Sequence, residues 1–207
     1  MTSPTLRPKT SWSVADIVVA SVIAVASGVI FWGWNASYGL ISLAFVAFPP
    51  ASAFLSGMWL FPAVLGALII RKPGAAIYCE LLAAVISALL GSQWGIAVLV
   101  SGLVQGLGAE LVFAALHYRL WNLPVAMIAG AASGLFGAVT EAYILAYFVE
   151  YTAGMKIFHV AAMSFSGLVI AGLLSFFATR ALARTGALSA LPSRRAHQEP
   201  VFGREQR

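Results

Sequence analysis

The chain has 207 residues, 61% of them hydrophobic and only 9% charged, with a formal net charge of +5. An ordinary soluble domain is about 45–50% apolar and about 25% charged, and residues 17 to 70, 81 to 109, 120 to 140 and 157 to 179 hold no Asp, Glu, Lys or Arg, so a soluble globular fold is excluded. The composition is that of an integral membrane protein with short tails; the single Cys79 rules out an internal disulfide framework and reads as a buried thiol.

A crossing of a hydrocarbon layer roughly 30 Å thick takes about 20 apolar residues. The chain predicts an all-α membrane domain over 14–185 with six transmembrane helices, at about 14–34, 51–70, 74–91, 95–116, 123–149 and 157–180. Helices are expected because the runs are continuously apolar, whereas barrel strands alternate over about 10 positions. The first span is too long for the roughly 7–15-residue core of a signal peptide and lacks a clear cleavage site. Residues 1–13 form an N-terminal tail. Residues 186–207 are polar and Arg-rich, and are expected to be disordered.

Residues 35–50 do not fit into one helix with the 20 that follow. Pro49 and Pro50 break a helix interior, so this stretch is expected to be an apolar outer loop or short re-entrant helix. It serves either as a lid over a binding pocket or as a plain interfacial connector.

Basic residues in short loops are retained on the cytoplasmic side. Arg7 and Lys9 precede the first span, Arg71 and Lys72 separate the second and third, and Arg119 separates the fourth and fifth. Arg180, Arg184, Arg194, Arg195, Arg204 and Arg207 follow the sixth, and only Lys156 lies opposite. Both termini are therefore expected to be cytoplasmic, in the cell membrane. The positive charge suits an anionic lipid leaflet and calls for no nucleic acid.

An ionisable residue inside a span costs about 2.5–3.5 kcal/mol on insertion scales. Glu80, Glu110 and Glu141 are such residues, while Asp16 is expected to lie close enough to the membrane edge to reach water. No basic residue occurs mid-span to pair with the glutamates, so the missing partner could be a ligand. Carboxylates near aromatic rings suit a flat, nitrogen-rich cation, which stacks on the rings and donates to the carboxylate. Trp32, Trp34, Trp59, Trp94, Tyr143 and Tyr147 are candidates by depth, although Trp and Tyr also collect at membrane interfaces. Trp94, Ser101 and Gln105 recur at steps of seven and four, on one helical face. Asn35, Gln93 and His159 complete the candidate substrate-binding set.

Small residues form two stripes. Gly130, Gly134 and Gly137 are expected to pack inside the bundle; Ala20 and Ala24, extended by Ser27 and Gly28, form either a packing seam or a docking face for a partner helix. There is no phosphate-binding P-loop, no His-Glu-x-x-His and no paired Cys arrangement, so no catalytic residue, metal or cofactor is expected. Ser133 and Ser166 sit in weak Ser-Gly motifs of intramembrane proteases, without the preceding Gly.

The runs Gly57-Met-Trp-Leu-Phe-Pro-Ala-Val-Leu-Gly-Ala-Leu-Ile-Ile-Arg-Lys-Pro-Gly-Ala-Ala, Glu80-Leu-Leu-Ala-Ala, Gly91-Ser-Gln-Trp-Gly and Gln105-Gly-Leu-Gly-Ala-Glu-Leu-Val-Phe-Ala resemble the YkoE-type substrate-binding (S) components of energy-coupling factor (ECF) transporters. The likeness spans nearly all of residues 10 to 185. It implies a six-helix protein that binds thiamine or its hydroxymethylpyrimidine (HMP) precursor from outside. It also implies partners: a transmembrane coupling subunit and two ATPase subunits. S components generally present an Ala-x-x-x-Ala pattern of the first helix to the coupling subunit, which moves Ala20 and Ala24 toward docking. The resemblance does not select a glutamate: Glu141 has the best depth, and Glu80 and Glu110 lie in the resembling motifs. The alternative function is a self-sufficient proton-coupled transporter of a small cationic or heteroaromatic solute, with the three glutamates as a relay.

Overall fold

The computed structural model describes residues 11–203, and among these every regular element is helical. Arg7, Lys9, Arg204 and Arg207 lie outside the described residues. The helices are α1 (Val14–Ile41), α2 (Phe61–Ile70), α3 (Ala75–Leu89), α4 (Val98–Ala115), α5 (Leu123–Val139), α6 (Ala153–Ser166) and α7 (Ser175–Arg184). Several are extended by tighter or wider turns. A 3-10 segment over Pro49–Trp59 leads into α2, a π turn over Thr140–Ile144 continues α5, and a π segment over Gly167–Leu174 joins α6 to α7.

Five helical stretches are long and apolar enough to cross a membrane: Val14–Phe45, Pro49–Ile70, Gly95–Ala115, Leu123–Ile144 and Ala153–Arg184. The expected third span is shorter. α3 has 15 residues, about 22 Å at 1.5 Å per residue, less than a full hydrocarbon layer.

The first break comes later than expected. α1 continues through Asn35 and Tyr38 to Ile41, because nothing before the two prolines prevents helical hydrogen bonding. Leu40, Leu43 and Val46 point outward, being 65–75% exposed, while Phe48 packs edge-on against Phe158 with centroids 4.9 Å apart. The expected fifth span also ends early. Beyond the π turn the backbone breaks, with Ala146 in the left-handed region at φ 50°.

Between lipid tails, apolar burial gives little drive for helices to associate, so close packing and interhelical hydrogen bonds must hold the bundle. The glycine stripe of α5 supplies the first: a methyl group built on Gly134 would lie 2.5 Å from the Met163 carbonyl oxygen, and one on Gly137 2.8 Å from the Gln105 side chain. Ala20 and Ala24 behave the same way. Both are 0% exposed, and Ala20 packs with Ile69, Ile70, Ala75 and Cys79. The expected docking face is therefore an internal seam. The outward side of α1 carries Val18, Val22, Val25 and Val29 instead.

The turn Arg71-Lys72-Pro73-Gly74 ties the basic end together. Arg71 caps α2 in the left-handed conformation at φ 57°, and Gly74 opens α3 at φ 86°, where a side chain would be strained. Lys72 pairs with Asp16, whose carboxylate also accepts from Ser13 in a capping box, and the Trp12 indole donates to the Pro73 carbonyl at 2.9 Å. Asp16 is thus buried in an ion pair, at 2% exposure, rather than open to water.

Residues 186–203 also depart from the expectation of disorder. Leu188, Leu191 and Ala196 bury themselves beside Ile69, Ile70 and Ala183. The Ser193 hydroxyl donates to the Ile69 carbonyl at 2.7 Å, and the Arg180 guanidinium donates to the carbonyls of Ala196, His197 and Glu199. Composition hid this, because a few apolar residues at the right places suffice once the helix ends provide unpaired carbonyls.

Candidate functional site

Away from the basic end, the elements leave a cavity of about 60 Å³. α1 contributes Phe31 and Tyr38, the Pro49–Trp59 segment contributes Ser56 and Trp59, and α3 contributes Glu80 and Ala84. Trp94 stands at the head of the fourth crossing, which adds Ser101 and Gln105 from α4. Glu141, Tyr147 and Phe148 come from the π turn and the connection after it, and His159 and Met163 from α6.

Aromatic rings form most of the wall. Trp59 lies edge-on to Tyr38 at 5.0 Å and to Trp94 at 6.4 Å, and Trp94 stacks on Tyr147 at 6.0 Å. Phe148 continues the row to His159, with centroids 4.5 Å apart. Asn35 stands behind this wall: its Oδ1 accepts from the Trp59 indole at 2.9 Å, while its amide donates to Ser87 at 3.2 Å. It fixes the ring rather than facing the cavity. Trp34 packs on Trp59 at 6.2 Å from outside the lining.

Glu80 is fully buried. Its Oε2 accepts from the Ala63 amide at 2.8 Å, one of the N–H groups that the first turn of α2 leaves without an intrahelical acceptor. The other oxygen, Oε1, has no partner. The glutamate thus caps one helix while bordering the cavity with an unused acceptor.

The π turn delivers Glu141 to the same cavity. Such turns often occur at functional sites, because one extra residue re-aims the side chains around it. Glu141 Oε1 accepts from Gln105 at 3.3 Å, and Oε2 lies 3.7 Å from His159 Nε2, too far for a hydrogen bond. Both imidazole nitrogens of His159 and the Tyr147 hydroxyl are buried without partners. The Tyr147 phenol, in the connection beyond the span, is pushed above its ordinary pKa by burial and then by the charge of Glu141, against a smaller opposing effect of the Ser101 hydroxyl beside it.

Of the twelve residues expected from sequence to bind substrate, seven meet here: Trp59, Glu80, Trp94, Gln105, Glu141, Tyr147 and His159. Trp34 and Asn35 support them from behind. Three lie elsewhere. Gln93 is exposed. Tyr143 is 55% exposed and meets Lys156, whose ammonium lies 5.2 Å from its ring. Glu110 caps α3 at the basic end, accepting from the amides of Gly74 and Ala76 at 2.6 and 2.9 Å and from the Tyr118 hydroxyl at 2.7 Å. Burial, and then its bond to Glu110, holds the Tyr118 phenol well above its ordinary pKa.

Sequence reasoning missed Phe31, Tyr38 and Phe148. The first two could have been found, since Phe31, Asn35 and Tyr38 follow one helical face at steps of four and three. Phe148 had no such signal, because only the break after Ile144 turns it inward.

The three glutamates share no hydrogen-bond partner, so no relay connects them in this conformation. The serines of the weak protease motifs have other surroundings. Ser166 donates to the Phe54 carbonyl and accepts from the Gly57 amide, and Ser133 is fully buried with an unpartnered hydroxyl.

An apolar helical bundle around an aromatic pocket with unpartnered polar atoms defines a membrane protein that binds a solute. The comparisons place it more closely. Residues 15–136 match the family described as "ABC-type cobalt transport system, permease component". The "Putative HMP/thiamine permease protein YkoE" of Bacillus subtilis (strain 168) is 36% identical over 181 residues, covering 87% of this chain and 89% of that protein. A solved structure described as an S-component of ECF transporter superposes with a TM-score of 0.83 at 34% identity, over 91% of this chain and 94% of that one. The chain belongs to this permease family, as a substrate-specific S component of the ECF type and a multi-pass membrane protein.

Proposed function

We propose that the pocket binds thiamine or its HMP precursor from the outer side of the cytoplasmic membrane. The observation that carries this reading is the convergence of Glu80 Oε1, the Tyr147 hydroxyl and both His159 nitrogens, all buried without partners, on one cavity walled by aromatic rings. Buried polar groups left unpaired cost about 1–3 kcal/mol each, and a flat aminopyrimidine offers donors and acceptors to meet them while its faces stack on Trp94 and Tyr147. The name of the Bacillus relative points to the same ligands.

In this reading the basic end is cytoplasmic, with Arg71, Lys72, Arg119 and the arginines after α7 retained there. The chain crosses six times, α3 serving as a short crossing sheltered by α1, α2 and α4. The chain makes and breaks no bond. Reorientation is driven by two ATPase subunits through a transmembrane coupling subunit.

Calorimetric titration of the detergent-purified protein with thiamine and, separately, HMP tests the proposal. Saturable binding to the chain alone is expected. Glu141→Gln should weaken thiamine, whose ring carries a positive charge, about tenfold, and uncharged HMP less. Absence of binding to either compound by folded protein would remove these ligands from the pocket.

A further inference from the structure

A second cleft, of about 290 Å³, opens at the basic end among Arg71, Arg119, Trp121, Asn122 and Glu199. It is separate from the aromatic pocket and shares no residue with it. Its chemistry is that of an oxyanion site. Arg71 donates through both terminal nitrogens to the two carboxylate oxygens of Glu199, each at 2.6 Å, while its guanidinium lies 5.5 Å from the Trp121 ring centroid. The chain thus already seats one planar oxyanion there, in the bidentate geometry that arginine also offers to phosphate.

Among the described residues, that one anion does not balance the cleft's two arginines. Arg119 is exposed, and among the described residues it makes no ion pair or side-chain hydrogen bond. Among the described residues, two guanidinium groups and one carboxylate therefore border the cleft. Asn122 adds an amide: its Oδ1 caps α5 by accepting from Val125 at 3.1 Å, which leaves its NH2 group as a further donor. The cleft lies where α2 ends and α5 begins, with an indole at its side, the level at which a membrane protein meets phosphate headgroups.

We propose that this cleft binds a phosphate oxyanion, held by Arg119 and the Asn122 amide and sharing Arg71 with Glu199. Glu199 is then a tethered competitor. Removing its charge should strengthen phosphate binding, the opposite of what a purely structural ion pair would do. A lipid headgroup and a free phosphate present the same chemistry, and the experiment separates them.

The full chain is reconstituted in phosphatidylcholine nanodiscs and titrated with inorganic phosphate, following its thermal midpoint. A parallel set contains phosphatidylglycerol, and lipid retained by the protein is counted by native mass spectrometry. Arg119→Gln should weaken the response about tenfold, and Glu199→Gln should strengthen it several-fold. Among the described residues Arg119 makes no side-chain hydrogen bond or ion pair that the substitution would remove, and an unchanged thermal midpoint of R119Q without phosphate verifies that the fold is intact. A phosphate response that depends on Arg119 assigns the site to a soluble oxyanion; phosphatidylglycerol retention that depends on Arg119, without a phosphate response, assigns it to lipid. Either result supports the oxyanion site. No response to either probe, or responses unchanged in R119Q, would overturn it, as would weaker binding in a folded E199Q protein.

Discussion

Glu80 and Glu110 are built alike and end differently. Each is a buried carboxylate that caps the first turn of a neighbouring helix, Glu80 on α2 and Glu110 on α3. At the basic end the Tyr118 hydroxyl and two amides engage both oxygens of Glu110. In the aromatic pocket Glu80 is left with one oxygen free, and the groups across from it, Tyr147 and His159, are unpartnered too. Burial of an acid in a membrane protein is therefore not itself a functional mark. What distinguishes the pocket is polar capacity left over after the fold has used its share.

The contrast can be broken most forcefully from the structural side. Glu110→Ala would strand the buried amide of Ala76, at about 1–3 kcal/mol, and the part-buried Gly74 amide and Tyr118 hydroxyl, at less. Thermal unfolding in detergent should drop sharply, while the fraction that remains folded binds ligand normally; a large loss of affinity with unchanged melting would transfer Glu110 to the site. Ala20→Trp follows. With no space beside Ile69, Ile70 and Cys79, overpacking should cost about 1–3 kcal/mol or more and reduce the yield of folded protein. A well-folded variant that binds ligand but no longer supports uptake would restore the docking role to this helix face.

Glu80→Gln sharpens the comparison from the other direction. The amide oxygen can still accept from Ala63, so melting should shift little, but ligand affinity should fall by roughly 10-fold or more as the carboxylate acceptor is lost. Equal affinity would reduce Glu80 to a helix cap like Glu110. The smallest effect is expected at Tyr143→Phe: the ring contact with Lys156 persists, and affinity and melting should both stay within about 0.5 kcal/mol of the parent. A substantial loss of binding would extend the site to this exposed face.

Much of the site was legible because its residues violate the rules of their surroundings. Glutamates and Gln105 in apolar spans stand out against hydrocarbon, and the Trp94, Ser101 and Gln105 face follows directly from helical geometry. Tyr38 was hidden because a crossing of about 20 residues ends before it, whereas α1 runs on to Ile41. The Ala20 and Ala24 pair illustrates the opposite limit: small residues permit close approach, and their spacing is the same whether the approaching helix belongs to the chain or to a partner.

The sequence by itself determined the membrane class and the helical architecture, because hydrocarbon admits only apolar, internally hydrogen-bonded segments, and it crowded the basic residues into alternate loops, where they are retained on one side; the likeness to S components lay in particular runs of residues and in no physical rule. Only the tertiary structure decided which buried carboxylates are consumed as helix caps, which side of α1 is internal, and that the Arg-rich C-terminal segment packs against the bundle. These depend on which atoms meet across helices. A carboxylate 17 or 36 residues from the amide it caps leaves no mark in a periodicity read along one chain segment.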